Sequence, residues 1–383
     1  MQVQAQSQRP SPWGVFQRLE ISSFPIILAP LAGVSDHPFR RICQHYGADL
    51  TYVEMLSATA LLYDSRRTWE MLKRHSEERR VGVQLTGRSA DDVGRAVARL
   101  HDLNFDTIDI NMGCPVRKVV KTGCGSAILK DPERVQATVT AARSATDRPL
   151  SAKIRLGWDR QSINGIEVAQ AIEAGGADWL VVHGRTRADD YSVAVDLEEI
   201  ARIKASVSIP VIGNGNIFSR ADAELMREAT GVDGVMVSRG ALGDPWLFRE
   251  IQTGERRVGL EEWLRSVLDH LGWQQEEYGN QGAGAVCMRK HLLWYAKGWP
   301  GVKQLREAIN QSQTLTDARA LIEEFAAGLS AQGLTHRLET GDLDQAERFN
   351  WDPKWDMDRK LDRGVGDDPS MTAEELAIDP TSR

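Results

Sequence analysis

An amide and a thiol three residues apart, Asn111 and Cys114 in Ile110-Asn-Met-Gly-Cys-Pro115, are the residues most readily read as a reaction centre. Thr107-Ile-Asp-Ile-Asn111 alternates as a strand does, and Gly113 and Pro115 end it, so both polar groups stand at a strand mouth. A free cysteine often serves as a small apolar filler. Here the continuation Val116-Arg-Lys-Val-Val-Lys121 carries Arg117, Lys118 and Lys121 and must stay in water, which places Cys114 in an accessible, electropositive cleft. Cys124, in Gly123-Cys-Gly-Ser126, is the competing thiol, with flanking glycines that suggest a turn.

Lys153 is a charge inside the apolar strand Leu150-Ser-Ala-Lys-Ile154, and a buried ammonium needs an anionic partner. The N1–C2=O edge of a flavin, which gains negative charge on reduction, would be one. Gln84, with a donor and an acceptor, would suit the rim of the same ring, and Pro30-Leu31-Ala32 its face. Two glycine-rich loops, Gly213-Asn214-Gly215-Asn216 and Ser238-Arg239-Gly240, can hold a phosphate through backbone N–H groups and Arg239, or can simply be tight turns. Neither completes GxGxxG, so the reading is a phosphate-bearing cofactor without a dinucleotide-binding unit. For His183, in His183-Gly-Arg-Thr-Arg187 with Arg185 behind it, a cofactor or substrate role and a structural role stand level.

These residues fall at the ends of regularly spaced strands. Strand patterns start at residues 26, 50, 81, 107, 150, 179, 210 and 234, with helical patterns such as 90–103 and 165–174 between them. Eight such units predict an α/β fold, a (β/α)8 TIM barrel over 21–255, whose chemistry belongs at the C-terminal strand ends. From about residue 260 only helical patterns continue, predicting a second, all-helical domain over 256–337. A polar leader over 1–20 lacks the apolar core of a signal peptide. The four cysteines show no CxxC pairing or zinc-like spacing, which predicts reduced thiols, no metal site and a cytoplasmic protein. No apolar run approaches a membrane span. Of the net charge of −7, all lies from Glu339 onward, where acids outnumber bases 13 to 6. This stretch, 338–383, reads as an acidic, disordered tail and leaves the remainder free to meet a polyanion.

Taken together, Ala29-Pro-Leu-Ala-Gly-Val-Ser-Asp36, Ile110-Asn-Met-Gly-Cys-Pro115, Gly125-Ser-Ala-Ile-Leu129, Lys153-Ile-Arg-Leu-Gly157, His183-Gly-Arg-Thr186, Gly213-Asn-Gly-Asn216 and Ser238-Arg-Gly240 resemble the tRNA-dihydrouridine synthases. Arg289-Lys-His-Leu-Leu-Trp-Tyr295 is similar to the helical domain of their bacterial B-type branch. The resemblance implies FMN in the barrel mouth, NADPH as reductant and a uridine of tRNA as substrate. It implies Pro30, Leu31, Ala32, Gln84, Lys153, His183, Asn214, Gly215, Asn216, Ser238 and Arg239 around FMN, Asn111 at the uracil and Cys114 as the acid. Arg117, Lys118, Lys121, Arg185, Arg289 and Lys290 become expected substrate and RNA contacts, with Lys297, Lys303 and Arg306 beside them. A monomer is expected. Leu31, Asn216 and Ser238 depart from the residues usual in the family, namely Met, an acid and Gly. The rival readings are a dihydroorotate dehydrogenase-like FMN enzyme acting on a free pyrimidine and a catalytically silent RNA-binding protein.

Overall fold

The computed structural model describes residues 14–336, so the acidic tail and most of the polar leader lie outside the described residues. Eight parallel strands form the ring: β1 Ile26–Leu28, β2 Thr51–Tyr52, β3 Val81–Thr86, β4 Thr107–Met112, β5 Leu150–Arg155, β6 Trp179–His183, β7 Val211–Asn214 and β8 Gly234–Val237. Each pairs with its neighbour in sequence, β8 returns to β1, and a parallel bridge between Ile27 and Leu50 joins β1 to the start of β2. The TIM-barrel expectation is met. One short strand that the sequence pattern did not reveal, Leu56–Ser57, lies beside the end of β3.

Most of the helices between strands start where side-chain caps stand. Asp36, Ser89, Asp131, Asp196 and Ser219 each accept the backbone N–H three residues on, taking up a donor that the first helical turn leaves unpaired. Alternation along the strands sorts the barrel into two separate apolar clusters. Outward residues such as Ile108, Ile110, Ala152, Ile154, Leu180 and Val182 pack beneath the helices. Inward residues Ile27, Leu50, Tyr52, Trp179, Val181, Ile212 and Met236 fill the lower interior. The short helix Gly14–Arg18 closes the bottom, with the Phe16 and Trp179 ring centroids 6.1 Å apart. Above that plug the inward positions turn polar, and the register sets Asn111 beside Lys153 and both Arg155 and Asn214 beside His183.

Helices Leu260–Tyr278, Ala283–Tyr295, Val302–Gln311 and Leu315–Ala331 form a bundle that shares its apolar cluster with the barrel's outer shell. Trp246 meets Tyr295 with ring centroids 5.9 Å apart, Phe39 meets His291 at 5.1 Å, and the Tyr46 hydroxyl lies 2.6 Å from that of Ser266. Among the described residues no helix is long and apolar enough to cross a membrane.

Gly243 fixes how closely the two parts approach. Its φ is +69°, and an added Cβ would stand 2.3 Å from the backbone carbon of Trp294 in the bundle. Gly231 has nearly the same φ, +68°, but open space around it. Gly243→Ala is therefore expected to cost roughly 2–4 kcal/mol, strain plus overpacking, and Gly231→Ala only about 1 kcal/mol of strain. Chemical denaturation of both variants checks this; equal losses would show that the contact with Trp294 yields freely.

Candidate active site

The polar upper ends of the strands enclose a cavity of about 220 Å³. All eleven residues expected around a cofactor, from Pro30 through Arg239, line it, together with Asn111, Cys114 and Arg185. Four cations reach its wall, Lys153, Arg155, Arg185 and Arg239, and among the described residues no carboxylate does. Arg155 was not expected, although it follows Lys153 by two positions and so shares its face. Its Nη1 donates to the Thr186 carbonyl at 2.7 Å.

Charge burial shapes these groups. Burial pushes the Lys153 ammonium down to about 7, and neighbouring Arg155 adds to the shift. Lys153 Nζ donates to Asn214 Oδ1 at 2.8 Å, and Asn214 Nδ2 donates to the Met236 carbonyl at 2.7 Å and to Ser238 Oγ at 3.1 Å. Burial, then the surrounding cations Arg155, Lys153, Arg185 and Arg239, hold His183 well below its usual range and hence neutral. Arg185 Nη1 lies 3.3 Å from His183 Nε2, and a guanidinium only donates, so Nε2 is the accepting nitrogen.

Arg185 itself is fully buried, donating to the carbonyls of Val193 and Tyr191 and to Asn216 Oδ1 at 2.7, 3.2 and 3.1 Å. It organises the wall more than it faces RNA. Arg239 also donates to Asn216 Oδ1, at 3.4 Å, and its guanidinium lies 3.8 Å from the ring centre of Tyr191. Tyr191 sits in an irregular loop, and no sequence signal pointed to it. Asn216 adopts φ +53° to meet both arginines, and Gly215 has no room for a Cβ, which would stand 2.8 Å from Val195 and 3.0 Å from the His183 ring.

Cys114 is held by its backbone. Its N–H donates to Asn111 Oδ1 at 2.9 Å, and its carbonyl accepts from Ser126 N at 3.0 Å. Gly125, at φ +57°, passes so close that a Cβ would lie 2.7 Å from the Cys114 carbonyl oxygen. Below, Asn111 Nδ2 donates to Gln84 Oε1 at 2.8 Å, and Gln84 Nε2 donates to Asp109 Oδ2 at 2.7 Å. Asp109, fully buried under the cavity floor, was also missed, though the alternation Asp109, Asn111 put it on the inward face. Cys124 is half-buried and does not line the cavity, and burial pushes its thiol up.

The basic residues divide. Lys118 and Lys121 are exposed and Arg117 half-buried on the helix Arg117–Lys121 just beyond Cys114. On the bundle, Lys303 and Arg306 are exposed, and Lys290 is half-buried. Lys290 Nζ donates to the Gly33 carbonyl and Glu54 accepts from Gly33 N, so Lys290 ties the bundle to the loop carrying Pro30, Leu31 and Ala32. Arg289 is half-buried, with its Nε covered.

Comparison with known proteins agrees with this geometry. The family described as Dihydrouridine synthase (Dus) matches residues 27–330. The tRNA-dihydrouridine synthase B of Pseudomonas aeruginosa is 41% identical over 309 residues, covering 79% of this chain and 92% of that protein. That of Pseudomonas syringae pv. tomato is 40% identical, covering 78% and 90%. The probable tRNA-dihydrouridine synthase 1 of Synechocystis sp. is 37% identical, covering 83% and 91%.

The buried ammonium makes a prediction independent of catalysis. Below about pH 7 the folded chain without a ligand carries Lys153 charged in a site that penalises the charge, whereas the unfolded chain hydrates it. That penalty is full below pH 7 and fades as pH rises towards 10.5, where the unfolded chain also gives up the proton. Lys153→Met is thus expected to melt above the wild type at pH 7 when both are flavin-free, by a margin that shrinks by pH 10. Thermal melts at the two pH values read this directly; a lower melting point at pH 7 would refute it.

Proposed function

The chain belongs to the dihydrouridine synthase family, and from that premise we propose how its own residues reduce the C5–C6 double bond of a uridine in tRNA. The observation that carries the reading is a cavity wall of four cations without a carboxylate among the described residues, with a thiol at its mouth. A positive cavity open at one mouth fits an anionic, phosphate-bearing ring such as FMN. Ser238, Arg239 and the N–H groups of Gly215 and Gly240 would hold the phosphate. Lys153 and Gln84 would meet the polar edge of the ring, and Pro30, Leu31 and Ala32 its face. Asn214, Asn216 and His183 complete the cradle.

Bound FMN supplies the hydride for C6 of the uracil. The residues supply the rest. Cys114 donates the proton that C5 requires, from the face opposite the ring, and Asn111 orients the base. A thiol suits the task, since an ordinary one, of pKa about 8.5, keeps its proton at neutral pH. The target uridine has to leave its stack to reach Cys114, and Arg117, Lys118 and Lys121 at the rim would take the adjacent phosphates, with Lys303 and Arg306 on the bundle gripping more distant ones. NADPH is the reductant and uses the same mouth before RNA arrives, which implies ping-pong kinetics. The enzyme works as a monomer in the cytoplasm.

Cys114→Ala is expected to lower dihydrouridine formation by roughly 10²–10⁴-fold while FMN stays bound. Cys124→Ala should keep most of the activity. Mass-spectrometric dihydrouridine assays on tRNA, run beside flavin absorbance, separate the two; the opposite pattern would move the acid to Cys124.

A further inference from the structure

We propose that Asp109 is a positioning residue: it sets the polarity of a relay of two carboxamides, Gln84 and Asn111, that ends on the backbone of Cys114. The inference deepens the functional reading, on which it rests only in taking Cys114 as the reactive group. An ionised carboxylate accepts and cannot donate. Asp109 is fully buried, and each of its oxygens has a donor: Ser151 Oγ at 2.6 Å and Gln84 Nε2 at 2.7 Å. Committing the Gln84 NH2 there leaves Oε1 to face Asn111, which must answer with Nδ2, at 2.8 Å. Asn111 Oδ1 then faces the other way, onto the N–H groups of Cys114 at 2.9 Å and Gly113 at 3.2 Å.

Every orientation follows from the one before it. The far end agrees, because backbone N–H groups only donate. The relay is therefore pinned by an acceptor-only group at one end and donor-only groups at the other, and reversing either amide would set like against like in a buried site, where an unmade hydrogen bond is costly. Burial pushes Asp109 up to about 6, so it remains ionised at pH 8. Its isosteric amide could still accept from Gln84, so the relay predicts which substitutions are tolerated.

The test is a transposition of the charge along the relay, in flavin-free full-length protein at about pH 8. It reads the rate of iodoacetamide alkylation at Cys114 by peptide mass, together with the melting temperature. Asp109→Asn keeps an accepting oxygen and should stay within about twofold of the wild-type rate. Asn111→Asp places acceptor-only groups on both sides of Gln84, so one contact must fail; Cys114 should be alkylated at least roughly fivefold faster and the protein should melt lower. In the double variant, Asp109→Asn with Asn111→Asp, the direction of the relay can reverse. The carboxamide now at position 109 can donate to Gln84 Oε1, and Gln84 Nε2 can donate to the carboxylate now at position 111. That carboxylate still accepts from the N–H groups of Cys114 and Gly113. The rate and melting point of the double variant should return to near those of Asp109→Asn. If Asn111→Asp alone does not fold, a folded double variant supports the relay, and a double variant that also fails to fold overturns it. A double variant no better than Asn111→Asp, or Asp109→Asn as perturbed as Asn111→Asp, overturns it too. Neither readout uses flavin or tRNA, so a chain that proved to bind no FMN would defeat the functional reading and leave this result standing.

Discussion

The site depends on holding positive charge where water is scarce. Lys153 rises from a strand into the barrel interior, and Arg155, Arg185 and Arg239 stand around the same cavity. Without a ligand this arrangement costs stability, as the depressed pKa of Lys153 expresses. The fold can carry that cost because the lower half of the barrel is a dry plug of Trp179, Tyr52, Ile212 and Met236, closed by Phe16, and the outer shell is packed separately. An anionic occupant would turn the penalty into binding energy, since cations already desolvated and oriented need no reorganisation when it arrives.

Neutral groups keep that charge available. His183 sits among four cations and stays uncharged, so it spaces them without adding repulsion. Asn216 gives both Arg185 and Arg239 an acceptor through one amide oxygen. An acid at this position would satisfy the same two donors but cancel part of their charge. With Asn216 the two guanidiniums are fixed in place and their charge is left for the ligand. Asp109 is the exception, an anion near Lys153, and it lies beneath the floor where its charge is spent on Ser151 and Gln84.

Much of this was legible from sequence because a barrel strand exposes its purpose by alternation. The strand starts were readable to within a residue, and since strand ends in a closed parallel barrel converge on one mouth, the residues gathered from eight distant segments had to meet. The same alternation turns Asp109 and Arg155 inward, each two positions from Asn111 or Lys153, but Asp109 lies within its strand and Arg155 follows the stretch 150–154 that the pattern singles out. Tyr191 is different in kind: its place beside Arg239 arises from an irregular loop, where no periodicity operates. The contact of Lys290 with Gly33 had no sequence signal either, because a basic residue on a helix looks the same whether its face meets solvent or a neighbouring loop.

Lys290 joins the bundle to the loop at the cavity wall. Gly33 belongs to the loop that carries Pro30, Leu31 and Ala32 along the cavity wall, and its two backbone polar groups are held from opposite parts of the protein, the N–H by Glu54 of the barrel and the carbonyl by Lys290 of the bundle. The bundle is also locked to the barrel through Gly243 against Trp294 and through the Tyr46–Ser266 contact. A displacement of the helix Ala283–Tyr295 would therefore bear both on the loop that carries Pro30, Leu31 and Ala32 and on Gly243, which follows the cavity residues Arg239 and Gly240. If RNA loads the bundle, the contact of Lys290 with the Gly33 carbonyl is one of the places, with Gly243 against Trp294 and Tyr46 against Ser266, where that load meets the barrel.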